Sequence, residues 1–173
     1  AANLHKNWIG TDIAQLLSNQ TGQPVTVIND ADAAGLAEMR FGVEDAHLYK
    51  TVFFLTVGTG IGSAIFVDGH LLPNTELGHL EVRGKEAEHR ASDAVRRQKK
   101  LSWKRWGKRF TEVLKTYESL INPDLFIIGG GISSKFENYA EYLKIQTKIL
   151  PAELENLAGI IGAAMAAKED ELP

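Results

Sequence analysis

The junction at Asn29-Asp30 constrains the fold of this chain more than any other feature, because an apolar run ends there and a run of small residues begins. Residues 25–28 have the β-branched content of a buried strand, and residues 31–40 are rich in helix formers. A strand that runs straight into a helix is typical of α/β proteins, which bind substrates at such strand ends. Asp30 is therefore either a helix cap or a carboxylate that meets a substrate hydroxyl.

Composition excludes several classes of protein. The 173 residues are 44% hydrophobic and 24% charged, as in an ordinary globular protein. The absence of cysteine excludes disulfides, thiolate zinc sites and cysteine nucleophiles. No apolar run approaches the roughly 20 residues that a membrane span needs, and residues 1–6 lack the pattern of a signal peptide. We expect a cytoplasmic protein with no membrane partner.

Charge is distributed unevenly along the chain. Residues 83–109 contain eleven basic residues and three acidic ones, a net charge of +8, whereas the rest of the chain carries −11. This basic segment indicates either a polyanionic partner or a solvated helical face. Its basic residues are Arg83, Lys85, Arg90, Arg96, Arg97, Lys99, Lys100, Lys104, Arg105, Lys108 and Arg109.

Periodicity and turn signals predict alternating strands and helices. Gly42 is expected to end the helix that follows Asp30, and Ser102 is expected to cap a long helix that Pro123 closes. The other predicted elements are a helix over 11–19, strands over 51–57, 63–67 and 125–128, a hairpin at Asp68-Gly69 leading to Leu71-Leu72, a helix from about Ser134, and a small-residue helix over 156–168.

Two glycine clusters follow predicted strands. The backbone amides of Gly58-Thr59-Gly60-Ile61-Gly62 could cradle a phosphate, and the Thr59 hydroxyl could add a donor, but a tight structural hairpin is equally compatible. The cluster is neither a Walker loop nor a dinucleotide fingerprint. Gly129-Gly130-Gly131 permits either a turn or the close approach of a ligand.

Carboxylates and an imidazole occur in a stretch with little periodicity. Glu76 and His79 are followed by Glu88, and such groups can bind vicinal sugar hydroxyls or a metal ion. Zinc would require a further ligand, which cysteine cannot supply here. We favour hydrogen bonding to a polyol.

The order of these motifs resembles the ROK family of repressors, open reading frames and sugar kinases. The pattern is strand-Asn-Asp-Ala, then Gly-Thr-Gly-Ile-Gly, Glu-Leu-Gly-His and Ile-Gly-Gly-Gly, and it extends over nearly the whole chain. Further segments resemble the branch that phosphorylates glucose with inorganic polyphosphate, sometimes also with ATP. These segments are residues 8–12, 25–42, 72–79, 101–103 and 151–154.

The resemblance implies an α/β protein with the actin-like ATPase (ribonuclease H-like) fold of sugar kinases. It implies that Asp30 is the general base for attack of the sugar 6-hydroxyl on a phosphoryl group, that Mg²⁺ accompanies the donor, and that the protein is a homodimer without a nucleic-acid partner. A non-catalytic sugar-sensing repressor domain and an inactive kinase fragment are the alternatives. The implied glucose-binding residues are Asn29, Asp30, Glu76, His79 and Glu88, and the implied donor-binding residues are Gly58, Thr59, Gly60, Gly62, Gly129, Gly130 and Gly131.

The sequence departs from the family pattern in two places. Many members carry a cysteine-rich zinc motif after the Gly-His pair, and its absence predicts no structural zinc. The family also begins with a phosphate-binding turn of the Asp-x-Gly-Gly-Thr type, which does not occur before Asn29, so we expect about the first third of the family fold to be missing. On this basis residues 1–45 are assigned to the remainder of the first, small lobe, 46–153 to the second, large lobe, and 154–173 to a helix that returns to the first lobe.

Overall fold

A mixed five-stranded sheet organises the chain in a computed structural model that describes residues 5–169. The strand order is β3-β2-β1-β4-β5, in which β1 pairs antiparallel with β2 and parallel with β4. The outer pairs are antiparallel for β2 with β3 and parallel for β4 with β5. The strands are β1 (Thr51–Val57), β2 (Ile61–Val67), β3 (His70–Leu72), β4 (Leu125–Gly129) and β5 (Lys148–Pro151).

Six α-helices accompany the sheet in the described part of the chain. Asp12 caps the first through the backbone N–H of Gln15, and Ser102 caps the fifth through that of Arg105, as predicted for Ser102. Gly42 follows the second helix, also as predicted. The helices are α1 (Ile13–Thr21), α2 (Asp30–Phe41), α3 (Ala87–Ala91), α4 (Asp93–Gln98), α5 (Trp103–Ile121) and α6 (Ala158–Glu169).

Strand direction places both glycine clusters at one edge of the sheet. Because β1 and β4 are parallel, with Thr56 opposite Gly129, their carboxyl ends lie side by side. The antiparallel β2 begins at this same edge. We call this edge, formed by residues 57–63 and 129–131, the glycine edge. Ligands of open α/β sheets bind beyond the carboxyl ends of such strands.

Each face of the sheet has its own hydrophobic core. On one face α5 packs large side chains, including Trp106, Phe110 and Tyr117, against Phe53 and its neighbours. On the other face the core contains the small side chains of α2 and α6, together with Phe54 and Phe66 of the sheet. Both cores are continuous with the sheet, so the helices are held in fixed positions relative to the glycine edge.

The predicted hairpin is confirmed in detail. Asp68 and Gly69 join β2 to β3, and both have positive φ angles, of 48° and 81°. Two left-handed residues match the right-handed twist of the flanking strands, which explains the choice of Asp-Gly at this turn. The strand predicted from residue 63 begins earlier, at Ile61, so that Gly62 lies inside β2 and the turn itself consists of residues 58–60.

Two predicted elements are wrong. Residues 25–28 are extended, but they join no strand within the described residues, and Val27 is 58% exposed. A β-branched run becomes a strand only where a neighbour pairs with its backbone groups. The helix predicted from about Ser134 is replaced by two 3₁₀ segments, Ser133–Asn138 and Ala140–Tyr142, because Phe136 and Tyr139 turn inward onto the aromatic core around α5.

Three elements lack a clear sequence signal. The edge strand β5 is short and only half buried, and α3 and α4 are each less than two turns long, too short to show a helical period. Within residues 5–169 no helix has the length and apolar character that crossing a bilayer requires. The division into lobes at residues 45 and 153 remains a prediction.

Candidate functional site

Asn29, and not Asp30, caps α2. The Asn29 side-chain oxygen accepts hydrogen bonds from the backbone N–H groups of Ala31 (2.8 Å) and Asp32 (3.3 Å). Asp30 is the first residue of the helix and its side chain is exposed. The expectation of a cap is therefore met one residue earlier, and the Asp30 carboxylate lies at the positive end of the helix dipole without a capping role.

The start of α2 is in direct contact with the glycine edge. A β-carbon placed on Gly62 would lie 3.0 Å from the Ala31 β-carbon and 2.5 Å from the Thr56 hydroxyl, so glycine allows the helix to approach β2 this closely. The Asn29 amide nitrogen also donates to Glu76 Oε1 at 3.2 Å. These two contacts bring Asp30, Glu76 and the glycine edge into one region.

The segment that carries Glu76 and His79 is fixed to the first residues of β2. The Ser63 hydroxyl bonds the Thr75 backbone oxygen (2.9 Å) and accepts from the Leu77 N–H (3.1 Å), and the Thr75 hydroxyl donates back to the Ser63 carbonyl (2.8 Å). A β-carbon on Gly78 would collide with the Ile61 carbonyl oxygen. Gly78 therefore packs directly on Ile61, and the next residue, His79, lies beside the glycine edge.

Glu88 reaches the glycine edge from α3. Its Oε2 accepts a hydrogen bond from the Ile61 N–H at 3.4 Å, and a β-carbon on Gly60 would overlap the same oxygen. The α3 helix packs against α5 and β2, which gives this carboxylate a rigid support. The side chain of Glu88 is partly exposed, and its other oxygen, Oε1, faces His89.

Glu86 links two histidines beside this carboxylate. Its Oε2 lies 3.3 Å from His79 Nδ1 and 3.2 Å from His89 Nδ1, while His89 Nε2 lies 3.7 Å from Glu88 Oε1. The hydrogen bond to Glu86, with the nearby negative charges of Glu88, Glu86 and Glu76, raises the pKa of His79. The ligand atoms of His79, Glu86 and Glu88 lie within 4.8 Å of one another and could hold a metal ion.

The glycine clusters differ in how much backbone they leave free. In the turn, the Gly58 N–H donates to the Gly60 carbonyl at 3.0 Å, whereas Thr59 at the tip is exposed. In the second cluster, a β-carbon on Gly130 would lie 2.7 Å from the Val57 nitrogen, so this glycine packs on the end of β1. Gly131 has open space around it.

The basic segment is attached to the same turn. The Ala94 N–H of α4 donates to the Gly58 carbonyl at 3.1 Å. In α4, the buried Asp93 binds Arg96 (2.7 Å) and Arg97 (2.8 Å), and the Arg96 guanidinium lies 3.9 Å from the centre of the Trp103 ring. Arg96 and Arg97 are thus partly structural.

Other basic side chains of this segment are free to meet a ligand. Arg83 and Arg90 pair with Glu112, whereas five others are exposed and have no carboxylate within 4.0 Å among the described residues. Two of these five directly follow α4 and three lie in the first two turns of α5, so they are close together along the chain. We call Lys99, Lys100, Lys104, Arg105 and Lys108 the basic surface.

Sequence reasoning missed three acidic residues that organise the site. Glu86 binds His79, Asp93 orders the arginines, and Asp32 is buried in the first turn of α2. A signal existed only for Asp32, which stands among alanines at a helix start where a polar residue needs a partner. The predicted residues Asn29, Asp30, Glu76, His79 and Glu88 all lie around the glycine edge.

Comparison with known sequences identifies relatives of this chain. Residues 1–92 match the model of the ROK family. The chain is 50% identical over 171 residues to a polyphosphate glucokinase of Mycobacterium tuberculosis, an alignment that covers 98% of this chain and 64% of the relative. The chain therefore spans about two thirds of that relative's length.

Solved structures agree with this relationship. The inorganic polyphosphate/ATP-glucomannokinase of Arthrobacter sp. strain KM superposes with a TM-score of 0.92 at 48% identity, covering 98% of this chain and 67% of the other. A ROK family glucokinase of Streptomyces griseus, solved with glucose and AMPPNP, gives a TM-score of 0.77 over 91% of this chain and 72% of its own, and at 22% identity supports the fold alone. The fold is the actin-like ATPase fold of the ROK sugar kinases. With motif order, sequence identity and architecture in agreement, the chain belongs to the ROK family.

Proposed function

We propose that this chain carries the catalytic base and sugar site of a kinase that phosphorylates glucose to glucose 6-phosphate, with inorganic polyphosphate as donor and ATP as a second donor. The observation that carries the proposal is the convergence of Asp30, Glu76 and Glu88 with two glycine clusters at the glycine edge. The 50% identity to a polyphosphate glucokinase supports this function over the repressor alternative.

The acceptor half of the reaction uses polar side chains around the start of α2. Asn29, Glu76, His79 and Glu88 present an amide, two carboxylates and an imidazole, which together can donate to and accept from several hydroxyls of one sugar. Carboxylate oxygens accept hydrogen bonds from sugar hydroxyls. The raised pKa of His79 favours its protonated form, in which both ring nitrogens are donors. This set suits a polyol and offers no apolar surface for another class of acceptor.

Asp30 is proposed as the general base. Its exposed carboxylate accepts the proton of the glucose 6-hydroxyl as that oxygen forms a bond to the terminal phosphorus. The bond between the phosphorus and the bridging oxygen breaks, and the leaving phosphate keeps the electron pair. The products are glucose 6-phosphate and a polyphosphate shortened by one phosphate, or ADP when ATP is the donor.

The glycine clusters are proposed to receive the donor. The first cluster forms a turn without bulky side chains, with Thr59 exposed at its tip. Its proposed donor-binding residues are Gly58, Thr59, Gly60 and Gly62. Gly129, Gly130 and Gly131 lie beside this turn because β4 is parallel to β1. Positioning and charge neutralisation supply most of the catalysis in phosphoryl transfer, so a backbone cradle together with Mg²⁺, next to one carboxylate, is sufficient.

Mg²⁺ is proposed to arrive bound to the donor phosphates. The site fits this hard cation, because the exposed Asp30 carboxylate and the partly exposed Glu88 carboxylate are the type of ligand that Mg²⁺ takes alongside phosphate oxygens. When bound, the ion neutralises charge on the transferred phosphoryl group. Zinc is not part of the proposal.

The basic surface is proposed to bind polyphosphate beyond the reacting phosphate. The helix α4, which leads into the basic surface, contacts the Gly58 turn through the hydrogen bond between Ala94 and Gly58, and all five side chains of the basic surface lack a carboxylate partner among residues 5–169. A chain of phosphates carries regularly spaced negative charges that such a surface attracts, whereas ATP ends at its adenosine. This surface therefore favours the longer donor.

A parallel assay tests the function. Formation of glucose 6-phosphate is measured with polyphosphate and with ATP, on this chain and on the chain extended with the N-terminal segment of the family pattern, while calorimetry measures glucose binding. We expect glucose binding by both proteins and turnover by the extended one, faster with polyphosphate. Absence of both binding and turnover would contradict the proposal.

Location and assembly belong to the same proposal. A kinase that consumes glucose and polyphosphate or ATP is expected in the cytoplasm, where those substrates occur together. We further propose a homodimer, which sedimentation of the extended chain would test. A monomer at micromolar concentration would contradict the proposed dimer and leave the proposed reaction intact.

A further inference from the structure

Asp32 is a buried acid that the proposed reaction does not use. Its side chain is 1% exposed, two residues after the proposed base. Its Oδ2 accepts a hydrogen bond from the backbone N–H of Asn74 at 2.7 Å, and its Oδ1 has no hydrogen-bond partner among the described residues. A carboxylate with one hydrogen bond is an expensive group to bury, so its position calls for a physical reason.

The electrostatic surroundings of Asp32 are unfavourable. Burial raises its pKa, the charges of Glu76 and Asp30 raise it further, and only the hydrogen bond from Asn74 lowers it. A buried acid so close to two other carboxylates reduces stability when ionised. The benefit of the residue must therefore lie in the contact with Asn74.

This contact joins two separate parts of the sugar site. Asp32 belongs to the first turn of α2, which also carries Asn29 and Asp30, whereas Asn74 lies two residues before Glu76. Asn74 has a φ angle of 58°, a left-handed conformation that asparagine tolerates in turns. The bond from Asn74 to Asp32 is made by its backbone, so it constrains the path of the chain toward Glu76 directly.

Two other links join Glu76 to its surroundings. The Asn29 amide donates to the Glu76 carboxylate at 3.2 Å, and Thr75 is bonded to Ser63 of β2. The first link uses a carboxylate that must also bind the sugar, and the second joins the loop to the sheet and not to α2. Asp32 is the buried connection between α2 and the backbone of the loop.

We propose that Asp32 is a positioning residue that fixes the Glu76 loop against α2, and so sets the distance between the sugar-binding carboxylate Glu76 and the base Asp30. The inference rests on the proposed sugar kinase function. A positioning role accounts for an acid buried between two alanines. In this role Asp32 makes no contact with substrate.

The first test is independent of catalysis and measures hydrogen exchange of the Asn74 amide. Asp32→Asn keeps an oxygen acceptor for this amide, whereas Asp32→Ala removes it. We expect near-native protection in the Asn variant and a loss of about ten-fold or more in the Ala variant, as for one lost hydrogen bond. Unchanged protection in the Ala variant would overturn the proposed contact.

The second test measures glucose affinity and turnover in the extended chain. We expect Asp32→Ala to raise the glucose Kd and KM by about ten-fold, the effect of one lost hydrogen bond, with kcat changed less. Asp32→Asn should keep both constants within about three-fold of wild type, because the amide oxygen still accepts the hydrogen bond. If the charge itself were required, the Asn variant would not be rescued. Native affinity in the Ala variant, or failure of Asn to rescue, would overturn the positioning role.

Controls separate this inference from the proposed function. Glu137→Ala removes an exposed acid outside the site and should change neither constant. If the Ala variant does not fold, Asp32→Glu keeps the acid and lengthens its reach, and weaker glucose binding with intact folding supports the role, whereas native binding overturns it. If the wild-type chain binds no glucose, the proposed function fails, and Asn74 exchange still decides whether Asp32 fixes the loop.

Discussion

The two faces of the sheet are packed in opposite ways. On the α5 face, large rings fill the space, with the Trp106 and Phe110 ring centres 5.0 Å apart. On the α2 face, backbones approach each other so closely that a β-carbon on Gly162 of α6 would overlap the Ala33 carbonyl of α2. One face is stabilised mainly by the packing of large rings, and the other by the close approach of backbones that small helix residues allow.

This difference matches what each face contributes to the proposed site. Small residues let α2 lie directly on β2, which brings Asn29 and Asp30 to the glycine edge. The aromatic core instead supports α5, and the exposed side of α5 carries Lys104, Arg105 and Lys108 of the basic surface. The comparison predicts that changes on the α2 face disturb the sugar site, whereas changes on the outer side of α5 disturb only use of the donor.

The largest effect is expected from a change that leaves both packing arrangements intact. Asp30→Asn is nearly isosteric and removes the proposed base, so turnover in the extended chain should fall by about 10²- to 10⁴-fold. Glucose affinity should remain nearly native, because the amide can still bond a hydroxyl. Steady-state kinetics and calorimetry measure the two quantities, and a kcat close to wild type would remove Asp30 as the base.

The next effect tests the aromatic face. Phe110 is fully buried, so Phe110→Ala should lower the free energy of unfolding by about 3–5 kcal/mol through lost transfer energy and a cavity. Phe41 is 60% exposed, and Phe41→Ala should cost no more than about 0.5 kcal/mol. Urea denaturation of both variants checks the pair, and equal losses would contradict the assignment of the core.

A smaller effect is expected on the α2 face. Gly162→Ala must push α6 away from α2 and should cost about 1–3 kcal/mol by overpacking. Gly159 lies in the same helix with open space around it, so Gly159→Ala should stabilise the protein by up to about 1 kcal/mol. Thermal denaturation measures both changes. Stabilisation of the protein by both substitutions would contradict close contact between α6 and α2.

Donor selectivity should respond to the basic surface. Replacing Lys99, Lys100 and Lys104 together with Gln should raise the polyphosphate KM about ten-fold, if each exposed charge contributes on the order of 0.5 kcal/mol. The ATP KM should change less, because ATP does not extend over this surface. Kinetics with both donors provide the measurement.

A matched control replaces three exposed lysines elsewhere, Lys50, Lys115 and Lys168, with Gln. This triple variant should leave both KM values near wild type. Equal loss with both donors in the Lys99, Lys100 and Lys104 variant would contradict a polyphosphate path over the basic surface.

The smallest effect concerns pH. Because burial raises the pKa of Asp32 above its ordinary value of 3.8, the folded state binds this proton more tightly than the unfolded state. The contribution to stability is complete below pH 3.8 and is lost as the pH rises through the raised value. Urea titrations from pH 4 to 7 should therefore show a shallower decline for Asp32→Asn. An identical slope in the two proteins would contradict the raised pKa.

Local sequence signals were sufficient where local physics decides the structure. The Asp68-Gly69 turn, the capping Ser102 and the apolar run of β1 were predicted correctly, because turn chemistry, helix capping and burial act over a few residues. Where pairing partners decide, prediction failed. Residues 25–28 have a strand composition but pair with no strand of the described chain, and β5 has a neighbour but a weak composition.

The same division applies to the candidate site. The sequence by itself determined which residues are candidates, since residue types and motif order indicated Asp30, Glu76, His79 and the glycine clusters. Only the tertiary structure decided which groups meet. The parallel pairing of β1 with β4 aligns the glycine clusters, and Asp32 reaches Asn74 across 42 residues. Contacts between distant segments depend on packing of the whole sheet, and no local pattern encodes them.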